Sequence, residues 1–541
     1  MINPKARPCD EAAIRSVRPV PPAGEDRGGG RGKFWILAAT ILGSTMAFVD
    51  ESVVNVALPA IEADLKAPVA VIQWLLNAYT LCLAALMLIG GAAGDRLGRR
   101  RVFVTGAAVF ALGSVWCGLS PTVAQLIAAR AVQGIGAALL IPSSLAIIGA
   151  SIDPAERGRA IGTWAGFSAI AAAVGPLLGG WIVDHVSWRW IFLINPLLAL
   201  PTIWAALWHV PESRAGQVGE AGPGLDWAGA LLAIAGLGSL VFGLIASSSL
   251  GWRDGTVLAA IAAGLLLLAG FVWVEARSRA PMMPLDVFAS RTFSGINLLT
   301  LLLYAALGGA FFFLPFDLIQ VHLYSATQAG AVFLPFTLLM GVLSRWSGGL
   351  LDRFGARLPL IVGPAITAVA FALLALPASG GSYAATFLLP MVTLGLGMAV
   401  SVAPLTTAVI NAVPTYRAGV ASGVNNAAAA LANLLAVAIF GAVALNAYDR
   451  GLDRRLAAPM VSSQVRAAVE ASRGKFATDP ALAGLQGDDR KVAALIVRDA
   501  LADSIALVMW LAAALALAGA LCAAISLPAS VGRPVPAPGN Q

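Results

Sequence analysis

Residues 34–58 read FWILAATILGSTMAFVDESVVNVAL, an apolar run broken in its second half by two adjacent carboxylates, Asp50 and Glu51. The run is long enough to cross a bilayer as a helix. An acid at the bilayer centre costs roughly 2.5–3.5 kcal/mol on the insertion scale, so membrane acids are kept mainly where they face a cavity and handle protons, ions or substrate. Two side by side point to a polytopic transporter.

The rest of the chain is built in the same way. Of 541 residues, 59% are hydrophobic and 12% charged, with a mean hydropathy of +0.83; soluble domains carry about 25% charged residues. Runs able to span about 30 Å of hydrocarbon as helices fall at 34–58, 69–93, 102–119, 122–148, 159–183, 188–208, 227–246, 257–274, 293–319, 328–351, 358–376, 383–409, 419–447 and 505–527. The expected fold is an all-α polytopic membrane protein with about 14 transmembrane helices.

Cations set the orientation. Seven Lys or Arg precede the first span and further groups recur on alternate loops, whereas the short loops of the other face hold only Lys66, Arg189 and Arg253. Positive charge is retained on the cytoplasmic side, so both termini are expected there, with the protein in the inner or plasma membrane. Tyr448–Ser504 falls on the outer side by parity, although it carries nine Lys or Arg against eight Asp or Glu; long segments obey the charge rule weakly. It is expected to form a peripheral cap or a loop for a periplasmic partner, with a short surface helix over Ser462–Ala471 capped by Ser462. Residues 1–32, rich in Pro, Gly and Arg, read as a disordered cytoplasmic tail.

Several function classes lack their residues. The net charge of +7 sits mostly in cytoplasmic loops, so no nucleic-acid partner is implied. GGGRGKF at 28–34 misses a phosphate loop at both ends, with Arg27 for its first Gly and Phe34 for its Ser or Thr. Cys9, Cys82, Cys117 and Cys522 form no CxxC, and His185, His209 and His322 are scattered, which suggests neither a zinc site nor a triad. No cofactor, metal or enzymatic activity is expected.

An internal repeat organises the chain. GAAGDRLGRRR at Gly91–Arg101 recurs in weaker form as GGLLDRFGAR at Gly348–Arg357, each on a cytoplasmic loop two spans into a half. Two structurally similar six-helix halves produce that register. The expected organisation is a six-helix bundle over 33–210, a linker over 211–280 with two extra helices, a second six-helix bundle over 281–528 that includes the outer segment 448–504, and a cytoplasmic tail over 529–541.

Four motifs then fall in a telling order: VDESVVNVALP at Val49–Pro59, the Gly91–Arg101 loop, LIAARAVQGIGAA at Leu126–Ala138 and GPLLGG at Gly175–Gly180. Together they closely resemble those of the major facilitator superfamily, and within it the fourteen-helix drug:proton antiporters of the multidrug efflux group. QWLLNAYTL at Gln73–Leu81, SWRWIFLINP at Ser187–Pro196 and residues 403–426 add supporting matches, and the resemblance covers nearly all of 34–527.

The first motif is similar to a helix-1 signature of the form LDxTIVNVALP. Asp50 takes its acidic position, Asn55 its Asn, and Ser52 keeps the hydroxyl of its Thr. Glu51 stands where the signature requires no acid. Adjacent helical residues point about 100° apart, so Glu51 either works in a chamber with Asp50 or is an interfacial acid, solvated or capping a neighbour; it shares a face with Asn55, one turn on. In the loop, Asp95 can pair with Arg96, Arg99 or a facing helix N-terminus, and Gly94 and Gly98 allow close approach and a tight turn. The resemblance implies a latch for the outward-open state, built from Gly91, Asp95, Arg96, Gly98 and Arg99 with Asp352 and Arg353 in the second copy; positive-inside topology alone also accounts for the arginines.

Arg130, Gln133 and Gly134 share a helix face two turns into their span, where a guanidinium needs a carboxylate or water; the resemblance links Arg130 to proton transfer. Gly175, Pro176, Gly179 and Gly180 make a tight, bendable helix contact, and the matching family pattern marks antiporters. Asn55, Asn77, Tyr79, Gln133, Asn425 and Asn426 are candidate cavity polars or else interhelical hydrogen-bonders. Asp317, in FFFLPFDLIQ, has no family counterpart; it is either an interfacial acid or, beside Phe311–Phe313 and Phe316, a site for a lipophilic cation.

These readings converge on a secondary active exporter. Extracytoplasmic protons taken up at Asp50 or Glu51, coupled to Arg130, are exchanged for amphipathic small molecules held between the halves. An exporter dedicated to an endogenous lipid or secondary metabolite shares the fold and motifs, and a non-transporting scaffold or sensor is the alternative of another class. Asp50→Asn is expected to fold yet lose gradient-driven efflux.

Overall fold

Within hydrocarbon every backbone N–H and C=O needs a partner from the chain itself, so long apolar runs resolve into helices. A computed structural model of the protein describes residues 31–152, 154–214, 226–278, 283, 285–347, 354–376, 383–413, 418–457, 461–470, 473 and 484–527. Among the described residues there is no strand, and 13 helices are long and apolar enough to cross a membrane. The remaining expected span, 159–183, forms the helix Pro154–His185, several of whose side chains lie outside the described residues.

The first six helices, α1 (Arg31–Leu65), α2 (Val69–Leu97), α3 (Arg99–Leu119), α4 (Val123–Ser151), α5 (Pro154–His185) and α6 (Trp190–His209), pack as one group. Next come α7 (Trp227–Leu250) and α8 (Gly255–Arg277), paired with each other and capped at their starts by Asp226 and Asp254. The second group holds α9 (Arg291–Phe316), α10 (Ala326–Val332), α11 (Leu334–Ser347), α12 (Arg357–Leu374), α13 (Leu389–Asn411), α14 (Ala418–Leu456), α15 (Ser463–Glu470) and α16 (Gly487–Ser526). The tenth expected span is thus two helices broken at Phe333, where Pro335 removes a backbone donor from the new first turn. Of the extra pair, α7 packs on α2 and α14 at the junction of the groups, while α8 packs mainly on α7.

The groups meet at one end of the bundle, that of Asp184. There α5 and α10 touch backbone to backbone: a Cβ on Gly180 would lie 2.1 Å from the Ala326 carbonyl oxygen, and one on Gly330 2.1 Å from that of Pro176. Asp184 accepts hydrogen bonds from the Ala326 and Thr327 amides at 3.0 and 2.7 Å and from the Thr327 hydroxyl at 2.5 Å. It thereby satisfies the first free N–H groups of α10, which has no intrahelical acceptors for them. Beside this contact Gln73 of α2 presses on Gly441 of α14.

The expected outer loop over 448–504 is largely helix. α14 has 39 residues and α16 has 40, so at about 1.5 Å per residue each is roughly twice as long as the hydrocarbon is thick. Their ends project together beyond the Asp184 end. Tyr448, Leu452 and Leu456 of α14 are buried with Val465 and Val469 of α15 and Ile496, Val497 and Ala500 of α16. Ser462 caps α15 by accepting from the Val465 amide at 3.2 Å, and donates to Asp489 at 3.1 Å. Arg473 donates to Glu470 and Asp453, and its bonds hold the Glu470 carboxyl below the usual range. The apolar scan misses this projection because only one face of an amphipathic helix is apolar once it leaves the bilayer.

Candidate functional site

Asp50 lies on the inner side of α1, 1% exposed, and its carboxylate gathers three N–H donors. Arg130 Nη1 donates to Oδ2 at 2.5 Å, while Gln133 Nε2 and Asn195 Nδ2 donate to Oδ1 at 2.7 and 2.9 Å. Gln133 also accepts from Arg130 Nη1 at 2.8 Å. Ser114 accepts from Gln133 and Asn195, at 3.1 and 2.8 Å, and donates to the Phe192 carbonyl at 2.9 Å. Arg130, fully buried, also donates from Nε to the Leu75 carbonyl at 3.0 Å and lies 4.3 Å over the Tyr79 ring. One ion pair thus ties together α1, α2, α3, α4 and α6. Burying two charges is tolerable only when both are paired and their remaining positions bonded, and this pair nearly meets that condition; among the described residues Arg130 Nη2 finds no hydrogen-bond partner.

Glu51 is directed elsewhere. It forms part of the wall of a cavity of about 310 Å³ between the helix groups, at the lower end of the range of small-molecule pockets. The first group contributes Phe48, Glu51, Ser52, Asn55, Asn77, Tyr79, Thr80 and Arg130; the second contributes Tyr304, Phe311, Phe333, Phe336, Thr337, Met340, Met398 and Asn433 among others. On α2, α10–α11 and α14 the lining residues sit on the Gly98 side of the Gln73, Gly330 and Gly441 contacts, so the cavity lies beneath the closed seam.

Of the expected cavity polars, Asn55, Asn77 and Tyr79 line it, and four do not. Gln133 is engaged behind the wall in the Asp50 network. Asn425 is buried in the second group, accepting from Thr300 at 2.7 Å, and Asn426 is exposed outside the cavity lining. Asp317 sits past the cavity in a π turn, Asp317–Val321, 3.6 Å from His322 Nδ1. The lining residues of α9 follow the helical face Tyr304, Leu307, Gly308, Phe311, and Asp317 lies beyond its end. Sequence reasoning missed Ser114 and Asn195, although a lone Asn in the apolar run INPLLAL called for a partner. It also missed Asn433, which recurs seven residues after Asn426 on the same helix.

The GPLLGG segment builds the seam and its support. Gly175 and Gly179 pack against Ser52 and Val53 of α1, Gly180 against Ala326, and the Pro176 carbonyl against Gly330. At the opposite end, Gly98 turns the chain between α2 and α3 with φ +112°. Arg100 and Arg101 both approach Glu212 Oε2 at 3.7 Å, and Arg100 donates to the Val210 carbonyl at 3.2 Å. Gly91 and Arg96 belong to this end; the side chain of Asp95, and Asp352 and Arg353 altogether, lie outside the described residues. A Cβ on Gly98 would lie 2.5 Å from Glu212 Oε1. Gly98→Ala should therefore combine backbone strain of about 1–3 kcal/mol with displacement of Glu212, read as a lowered thermal unfolding midpoint that Glu212→Gly partly restores.

Comparison with known proteins bears on what such a site does. The family model of the Major Facilitator Superfamily matches residues 40–232 and 227–437. The tetracenomycin C resistance and export protein of Streptomyces glaucescens is 33% identical over 83% of this chain and 84% of its own length. The puromycin resistance protein pur8 of Streptomyces alboniger is 34% identical over 77% and 82%, and the multidrug resistance protein Stp of Mycobacterium tuberculosis 34% over 75% and 75%. Among solved structures, an inward-facing bacterial homolog of the human lysosomal transporter Spinster aligns with a TM-score of 0.64 at 18% identity, over 94% of this chain and all of that one. The inward-open xylose transporter XylE of E. coli aligns with 0.56 at 14%, over 92% and 96%; likenesses this distant concern the fold.

Proposed function

Because the chain belongs to the major facilitator superfamily, and to a part of it named for drug resistance and export, we propose that it is a proton-coupled antiporter exporting amphipathic small molecules across the cytoplasmic membrane. The observation that carries this reading is the buried Asp50–Arg130 pair, whose Arg130 forms part of the cavity wall with Asp50 behind it. A proton arriving at the Asp50 carboxylate, which already accepts three hydrogen bonds, removes the charge that Arg130 needs. A guanidinium left alone in a dry interior is strongly disfavoured, and Arg130, itself part of the cavity wall, relieves this by turning toward the cavity. Protonation is thereby linked to the packing of α1, α2, α4 and α6.

The positive-inside distribution of Lys and Arg puts the Gly98 end and both termini in the cytoplasm. On that orientation the closed Asp184 end faces outward, and the conformation is inward-facing, loaded from the cytoplasmic side. Alternating access opens the α5–α10 seam and closes the Gly98 end, where the Gly91–Arg101 loop serves as the latch of the outward-open state. The projection of α14–α16 is peripheral to this cycle. A second reading, an exporter dedicated to one secondary metabolite, is favoured by relatives named for single antibiotics, among them the cephamycin export protein CmcT of Amycolatopsis lactamdurans.

The test is proton movement. Proteoliposomes holding the wild-type protein should move protons against substrate when substrate is added, whereas Asp50→Asn should catalyse substrate exchange without proton movement. Undiminished substrate-dependent proton flux in Asp50→Asn would sink the assignment of coupling to this pair.

A further inference from the structure

The closed seam has two unlike halves. Between α5 and α10 the polar groups are matched, Asp184 accepting from the Ala326 and Thr327 amides and the Thr327 hydroxyl at 3.0, 2.7 and 2.5 Å. Between α2 and α14 they are not. Gln73, about one turn into α2, is 1% exposed, and neither its Nε2 nor its Oε1 has a hydrogen-bond partner among the described residues. Its amide lies against bare backbone: a Cβ on Gly441 would be 1.8 Å from Nε2, 2.4 Å from Cδ and 2.7 Å from Oε1. Val69, Ile72 and Leu75 of α2 and Val437, Phe440 and Ala444 of α14 belong to one apolar core here, and the backbone groups of α14 are committed to their own helix.

A glutamine in a membrane helix ordinarily bonds across to its neighbour, and a buried amide without a partner carries the full cost of leaving water. That cost exists only while α2 and α14 are closed on each other; once they part, water reaches both amide atoms. We propose that Gln73 is a positioning residue of the outer seam, an unpaired amide that holds the closed conformation short of its full stability and so sets how readily the cavity opens to the outside. Asp184 keeps the seam together, and Gln73 keeps it able to release. Gly441 is part of the same arrangement, because any side chain there would occupy the space of the amide. An apolar side chain of similar length in place of Gln73 removes the cost and favours the closed conformation. The inference rests on the orientation that puts the Asp184 end outside, but not on Asp50 being the coupling acid.

Thiol labelling of the full chain in membrane vesicles tests this without any substrate. Thr337 lines the cavity beneath the seam, so Thr337→Cys, in a chain lacking Cys9, Cys82, Cys117 and Cys522, reports access from either face to a membrane-impermeant maleimide. Against this parent, Gln73→Met and Gln73→Leu should label from the outer face more slowly by about fivefold or more. From the cytoplasmic face, in inverted vesicles, they should label no more slowly, with a thermal unfolding midpoint unchanged or raised. Gln73→Asn keeps an amide and should label from outside close to the parent rate. Loosened packing would instead speed labelling from both faces and lower the midpoint. Parent-like rates in both apolar variants, faster labelling from both faces, or a slowing in Gln73→Asn equal to that in Gln73→Met overturns the proposal. A slowing confined to the cytoplasmic face would reverse the orientation and leave the role of Gln73 at the closed seam standing.

Discussion

Asp50→Asn should destabilise the protein by about 3–5 kcal/mol, the usual penalty for breaking a buried ion pair from one side, as well as uncouple it. Arg130 is fully buried, and its closest acceptor is the Asp50 carboxylate. The Asn amide can still accept one bond, but it leaves the guanidinium charge without a counterion. The sequence alone led to the expectation that this variant folds yet loses gradient-driven efflux; the pairing with Arg130 adds a cost in stability to that expectation. Asp50→Asn with Arg130→Gln should recover much of the loss, because two neutral amides can bond where two charges were paired. A thermal-unfolding cycle on wild type, both single variants and the double variant measures the coupling directly. Near-additive losses would mean that the two side chains do not depend on each other, and the proposed link between protonation and packing would fall with them.

How far this site could be read in advance depended on which residues were polar. An acid and an arginine in apolar runs declare themselves by their cost in hydrocarbon. That Asp50 and Arg130 meet across 80 residues is a property of packing, which apolar periodicity does not encode. Asn195 was visible for the same reason as Arg130, whereas Ser114 was not, since a serine in a membrane helix can bond its own backbone. The aromatic wall was the least legible part. Phe311, Phe333 and Phe336 have the same signature as Phe312, Phe313 and Phe316, which are fully buried away from the cavity lining, and only the turn of α9 and the break at Phe333 separate them. Asp184 was overlooked because an acid at the end of an apolar run looks like an ordinary solvated terminus. The outer projection was legible only as an amphipathic pattern: Ala493, Ile496, Val497, Ala500 and Leu501 repeat at helical spacing, but the continuous hydrophobicity that marks a span ends where this stretch begins.

Gly180→Ala should abolish export while leaving the two helix groups folded. Its new methyl would lie 2.1 Å from the Ala326 carbonyl oxygen, and that atom belongs to a backbone that cannot swing aside as a side chain could. The clash exists only while α5 and α10 are closed, so it acts on the equilibrium between states more than on folding. Overpacking typically costs about 1–3 kcal/mol, which as a bias between two conformations is about a 5- to 150-fold shift in population. Asp184→Ala should push the same way more weakly, because its three bonds to α10 are partly replaced by water at an exposed site. The shift can be read by labelling Thr337→Cys, on a background lacking Cys9, Cys82, Cys117 and Cys522, with a membrane-impermeant thiol reagent applied from outside. Thr337 lines the cavity beneath the seam and should be protected when Gly180 is present and labelled rapidly in Gly180→Ala. Gly255→Ala is the control, since a Cβ there meets nothing within 4 Å. If Gly180→Ala labels no faster than this control and still exports, the α5–α10 contact is not the gate that closes the outer side, and the inward-facing assignment loses its main structural support.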